Sequence, residues 1–224
     1  MSQQTLFAGF RPEAIAFLAD LASNNDRAWF TPRKPEYEEL VKRPLEALCA
    51  ALAERFAARG LPLTADPAHS PFRIYRDVRF SKDKSPYKAY ASAQFPMAGG
   101  GPGAYVHIEP GEIFAGGGLW RPEPPVLARW RQLVAADPAR VRAAVEEPGF
   151  AAAYGAVYGD RLARVPAGYP KDSPEADLLK LKDIIFRRRL ADADVTSSGL
   201  PDLLAESYAA AMPVFTLLAE IAAG

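Results

Sequence analysis

A chain of 224 residues with 27 Lys plus Arg against 27 Asp plus Glu carries no net charge. Whole-chain electrostatics therefore give no reason to expect nucleic-acid or membrane binding, and an apolar share of 49% beside 24% charged residues excludes disordered, collagenous and coiled-coil classes. A single cysteine, Cys49, excludes an intrachain disulfide and fits a reducing compartment.

In chain order, Met1-Ser2-Gln3-Gln4 has no basic stretch leading into an apolar run, so a secretory signal is not expected. No run of about 18 apolar residues follows anywhere; a cytoplasmic protein without membrane partners is expected. Pro12 to Leu21 reads as a helix, and Asp26 is placed to cap a short turn through Trp29-Phe30. Thr31-Pro32 looks like a second helix start. Beyond Pro44, Leu45, Leu48, Cys49, Leu52 and Phe56 keep helical spacing until Gly60.

The middle of the chain changes character. Phe72 to Phe80, Ala89 to Phe95, Ala104 to Glu109 and Glu112 to Gly117 all read as strands. Pro110-Gly111 supplies a two-residue turn between the last two, so Glu112 should oppose Glu109 and Phe114 should oppose His107. Helices return over Pro122 to Ala136, Pro138 to Glu146 and Ser173 to Leu181, and in a final segment from Leu203 to Ile221 with a kink at Pro213. The expected fold is α+β: an antiparallel β-meander flanked by N-terminal and C-terminal helices, in a single domain over residues 1–224.

The most informative segment is Arg73 to Lys88. It holds six basic side chains (Arg73, Arg76, Arg79, Lys82, Lys84, Lys88) and two acidic ones (Asp77, Asp83), an excess of four. Such clustering calls for negative charge, either from the two aspartates in a structural salt-bridge network or from a bound phosphate or carboxylate. In the ligand-binding reading, Arg73, Arg76 and Arg79 hold the anion and Asp77 orients them. Lys82, Lys84 and Lys88 add charge and Tyr87 a hydroxyl donor. The partner would be a phosphorylated or carboxylated small molecule. The runner-up is a nucleic-acid binding module using the same cations, and a third reading is a non-catalytic structural or interaction protein. No cofactor is expected.

The pattern Arg73-x-x-Arg76-Asp77-x-Arg79-Phe80 followed by Asp83-Lys84-x-x-Tyr87 resembles the signature of the DUF2461 family, a bacterial family of unknown function. Asn25-Asp26-Arg27 with Trp29-Phe30, Tyr105 to Pro110, and Gly116-Gly117-Gly118-Leu119-Trp120 extend the resemblance over nearly the whole chain. The resemblance marks the basic motif as important and implies no activity.

Among other candidates, His107 and Glu109 share one face of a strand with Tyr105, and that face is expected beside Arg73–Lys88. If the protein is an enzyme, His107 is the acid or base and Glu109 its orienting partner. No metal site is expected, because His69 is the only other histidine. Gly99-x-Gly101-x-x-Ala104 is interrupted by Pro102 and precedes a strand, so it reads as a hairpin loop. Gly116-Gly117-Gly118 either admits a ligand or ends a strand. Arg187-Arg188-Arg189 reads as solvated surface, and Cys49 as a core thiol.

Overall fold

A computed structural model describes residues 6–224; the stretch Met1-Ser2-Gln3-Gln4 discussed above lies outside them. It has the expected α+β character, with four strands hydrogen-bonded in the order β1-β2-β3-β4 and every pairing antiparallel. The strands are β1 (Ala91–Pro96), β2 (Gly103–Glu109), β3 (Glu112–Leu119) and β4 (Ile184–Arg189). β2 and β3 form the hairpin that Pro110-Gly111 specifies, with Gly111 at φ 83°, a conformation a side chain would strain.

The chain gathers into two compact units. The first takes the residues up to Phe95, Tyr105–Ala115 and Arg189–Glu206. Its helices are α1 (Pro12–Ser23), α2 (Arg27–Tyr37) and α3 (Arg43–Arg59), with a π-helical turn over Glu38–Lys42 between the last two. Asp26 caps α2 by accepting the Trp29 N–H at 2.9 Å. The helix does not restart at Pro32. It runs through Pro32 and Pro35, and two side chains take up carbonyls in this stretch: Thr31 Oγ1 donates to Arg27 C=O (2.6 Å) and Arg33 to Trp29 C=O (3.0 Å). The apolar faces of β1 and β2, including Ala93, Phe95, Val106 and Ile108, are buried, and Phe56 of α3 meets Phe95 edge-on at 5.8 Å.

The second unit takes Pro96–Ala104, Gly116–Arg188 and Ser207–Gly224. It contains α4 (Pro124–Ala136), α5 (Pro138–Val145), α6 (Pro148–Tyr154) and α7 (Ala176–Leu179). After β4 the chain forms α8 (Asp192–Thr196), α9 (Leu200–Ala210) and α10 (Met212–Ala223). The final helix expected with a kink at Pro213 is thus two helices, with Pro213 in the first turn of α10, where its missing N–H costs no bond. Trp130, Phe150, Phe186 and Phe215 are fully buried here. Trp130 Nε1 donates to Leu178 C=O (3.1 Å), and Arg131 donates to the carbonyls of Leu179 (3.1 Å) and Leu181 (3.2 Å), so the end of α7 is satisfied by side chains. Among the described residues no single helix is long and apolar enough to cross a membrane.

Candidate functional site

The basic segment begins as a short companion to β1. Pro71 bridges Ala93, Phe72 N–H donates to Ser92 C=O (2.9 Å), and Gln94 N–H donates to Ser70 C=O (3.0 Å). The chain then leaves the sheet at a neck. Tyr75 bridges Tyr87, Arg76 N–H donates to Pro86 C=O (2.9 Å), and Lys88 N–H donates to Ile74 C=O (2.7 Å). Asn25 clamps this neck across 62 residues of sequence: its amide donates to Tyr87 C=O and its carbonyl accepts Tyr87 N–H, both at 3.0 Å.

The strand expected over Phe72 to Phe80 is therefore corrected to two isolated bridges and a loop over 76–86. Two aspartates explain the loop. Asp77 Oδ1 accepts the Arg79 N–H (3.2 Å) and Asp83 Oδ1 accepts the Ser85 N–H (2.9 Å), which satisfies the backbone locally in place of a ladder.

Three of the six cations are used inside this loop. Asp77 accepts Arg79 bidentately, from Nε at 2.9 Å and from Nη2 at 2.7 Å. Arg76 pairs with Asp83, and Lys84 Nζ donates to Val78 C=O at 2.9 Å. Its hydrogen bonds to Arg79 hold Asp77 down to about 2. The Ser85 hydroxyl and the Arg76 guanidinium hold Asp83 well below the usual carboxylate range. Tyr87 is buried, its ring 4.1 Å from Phe30. The eight residues expected to line one anion site therefore do not converge. Arg76, Asp77, Arg79 and Lys84 stabilise a loop, Tyr87 packs in the core, and Lys82 is exposed beside them.

Arg73 and Lys88 make none of the loop's ion pairs, although the Arg73 charge helps to lower Asp77. Neither has a carboxylate oxygen of the described residues within 4.0 Å of its charged nitrogens. Lys88 is half-buried, with its ammonium 5.1 Å over the Phe72 ring. Burial, and then the neighbouring Arg73 charge, pull its pKa below the ordinary lysine value.

Beside them lies the polar face of β2. The Phe72 ring meets Tyr105 edge-on at 6.2 Å. The Tyr105 hydroxyl lies 3.0 Å from His107 Nδ1, and His107 Nε2 lies 2.8 Å from Glu109 Oε2. Ser92 is hydrogen-bonded to Tyr105. One tautomer of His107 satisfies every partner: Nε2–H donates to the Glu109 carboxylate and Nδ1 accepts the Tyr105 O–H. The result is a directed chain, Ser92–Tyr105–His107–Glu109. Phe114 stacks on His107 at 5.0 Å, as the hairpin register requires, and Tyr90 lies 4.5 Å from the imidazole. Tyr90 is pushed up by burial and by Glu109 and pulled back by Arg76, so the loop's charge reaches this face.

The histidine is only 8% exposed and both its ring nitrogens are engaged. The end of the chain that meets solvent is Glu109, with 39% of its side chain exposed. Sequence reasoning paired His107 with Glu109 through their two-residue spacing. Ser92 escapes it, since it sits in no recognisable chemical motif, and Asn25 is marked only through the Asn25-Asp26-Arg27 part of the family resemblance, without a role.

The remaining candidates resolve as structure. Cys49 is buried in α3 and its thiol is pushed up to about 12. The glycine run admits protein: a Cβ on Gly116 would lie 2.3 Å from Phe186 O, and one on Gly117 2.6 Å from the Phe215 ring. Arg187–Arg189 belong to β4, with Arg188 donating to Ser207 Oγ (3.0 Å) and Arg189 to Gly111 C=O (3.2 Å). Residues 99–101 form the hairpin loop between β1 and β2. No group of three or more His, Cys, Asp or Glu side chains among the described residues is placed to hold a metal ion.

Residues 13–216 match the family model described as "Conserved hypothetical protein (DUF2461)". The chain belongs to the DUF2461 family. No curated protein and no solved structure matches it. In this DUF2461 protein the motif residues divide by role in the geometry. Asn25 clamps the neck, the Arg76–Asp83 and Arg79–Asp77 pairs shape the loop, and Arg73 is left beside Lys88.

Proposed function

We propose that this DUF2461 protein binds a small ligand bearing a phosphate or carboxylate, held by Arg73 and Lys88 on the open face of β1 and β2. One observation carries the reading: the half-buried Lys88 ammonium lies over the Phe72 ring, with Arg73 as a neighbouring charge and no described carboxylate paired to either cation. Like charges so placed disfavour each other, and a bound anion would reverse that cost. The guanidinium fork of arginine suits two anionic oxygens, and a lysine adds a point charge.

The Tyr105–His107–Glu109 chain equips the same face for proton exchange. Its roles differ from those expected from sequence. Glu109, the exposed end, is the group available to a ligand, and His107 is a positioning residue that orients Glu109 and is itself oriented by Tyr105.

The test is thermal unfolding in orthophosphate and succinate at constant ionic strength. Either anion should raise Tm with concentration, as mass action requires of any ligand specific to the native state. Lys88→Ala and Arg73→Ala should remove the rise while keeping a native circular-dichroism spectrum. Arg79→Ala should keep it, because Arg79 is committed to Asp77. No rise with any anion, or a rise that survives Lys88→Ala, contradicts the proposal.

A further inference from the structure

The apex of the loop over 76–86 is unlike the rest of the described surface. Val78 C=O accepts the Ser81 N–H (3.3 Å), which closes a four-residue turn with Arg79 and Phe80 at its central positions. Phe80 keeps 95% of its surface exposed, more than any other large apolar side chain described. Three cations surround it. The Arg79 guanidinium lies 5.7 Å from its ring centroid. The Lys84 ammonium donates to the same Val78 carbonyl (2.9 Å), so it stands at the turn itself. Lys82 follows two residues after Phe80, is exposed and pairs with no described residue. Asp77 and Asp83 hold the loop in shape, and against them its four basic residues leave an excess of two positive charges. The Arg79–Asp77 pair is itself exposed, so its guanidinium still faces water.

We infer that this tip attaches the protein to an anionic lipid surface, with the Phe80 ring entering the bilayer interface and Arg79, Lys82 and Lys84 lying among its headgroups. The inference is separate from the anion site at Arg73 and Lys88 and does not depend on it. Whole-chain charge and hydropathy, on which no membrane partner is expected, average this tip away. Locally, its charge complements an anionic leaflet, and an exposed aromatic ring gains by leaving water for the interfacial zone. Other polyanionic partners fit less well. A stable protein–protein interface has an apolar core built from many residues on each side, whereas Phe80 is the one large apolar side chain exposed at this apex. A single strand of nucleic acid uses successive stacking rings along a groove. One ring on an exposed turn, with a guanidinium already beside it, does not supply them. A bilayer needs only the ring and the cations around it.

Sedimentation of the full chain with extruded vesicles is the test. Vesicles of phosphatidylcholine with about a third phosphatidylserine should carry the protein down, and vesicles of phosphatidylcholine alone should not. Added salt should weaken the binding, because exposed charges are screened. Phe80→Ala should keep the native circular-dichroism spectrum, since the ring is almost wholly exposed, and should bind about ten-fold more weakly. Lys82→Ala should bind about five-fold more weakly, as the loss of one cation at the surface requires. Phe80→Trp should keep the affinity, and its emission should shift to the blue with the anionic vesicles, a shift that the unaltered chain, with Trp29, Trp120 and Trp130, does not show. Equal binding to both kinds of vesicle, undiminished binding by Phe80→Ala, or unmoved emission from Phe80→Trp overturns the inference. Binding of a deoxythymidine oligonucleotide or of polyglutamate in place of the vesicles also overturns it, and gives the tip to nucleic acid or to an acidic protein. If neither kind of vesicle carries the protein down, the attachment is overturned while the anion site stands, because that site is read with orthophosphate, which offers the ring no interface.

Discussion

Lys88 keeps its ammonium partly out of water, next to an arginine and over the aromatic ring of Phe72. Asp77 and Arg79, eleven and nine residues away, present the opposite case of an exposed pair that satisfies itself. The contrast separates a site from a scaffold within one basic run, and pH can check it. Asp77 has its pKa depressed by Arg79, so whatever it contributes to the loop is fully present above the unfolded carboxylate value, near 3.9. That contribution is lost as pH falls through about 2. A carbon-detected NMR titration of the Asp77 carboxyl should therefore show a midpoint near 2. An ordinary midpoint near 3.9 would mean that Arg79 is free to serve a ligand.

At the level of elements, the neck between Tyr75 and Tyr87 decides where Lys88 points. Asn25 supplies two hydrogen bonds to it, and Asn25→Ala would leave the Tyr87 N–H and C=O without those partners. The expected cost is about 1–3 kcal/mol, with faster hydrogen exchange at the Tyr87 amide. Unchanged exchange there would show that the clamp is dispensable. In the second unit, Gly117→Ala would drive a methyl to within 2.6 Å of Phe215 and 2.5 Å of Gly103 O. A loss of about 2 kcal/mol is expected from such overpacking, read as a fall in Tm of about 4–8 °C; an unchanged Tm would contradict the packing described.

The same elements show what local sequence signals could reveal. Prolines at the starts of α1, α4 and α5, and the Pro110-Gly111 turn, act within a few residues, and those boundaries were legible. So was the His107–Glu109 pairing, since two-residue spacing on a strand puts both on one face. Phe72 to Phe80 alternates like a strand, but Asp77 and Asp83 capture nearby N–H groups, a competition that periodicity does not register. Arg187-Arg188-Arg189 reads as solvated surface, and these three arginines mask the strand that the short apolar run Ile184-Ile185-Phe186 begins and that pairs with β3. The Asn25 clamp spans 62 residues and leaves no local trace.

For the molecule as a whole, zero net charge means that long-range steering contributes little, and recognition of an anion must come from local placement. A broadly polyanion-binding surface would engage the exposed loop cations Arg79, Lys82 and Lys84, whereas a built site would engage Arg73 and Lys88 alone. The measurement that separates them most directly is a two-dimensional NMR titration of the labelled protein with orthophosphate at constant ionic strength, following the Lys Nζ and Arg Nε side-chain resonances. Saturable shifts at Lys88 and Arg73, with Arg79, Lys82 and Lys84 unmoved, are the expected result. Shifts confined to the loop cations, or none at Lys88 at any phosphate concentration, would contradict the anion site.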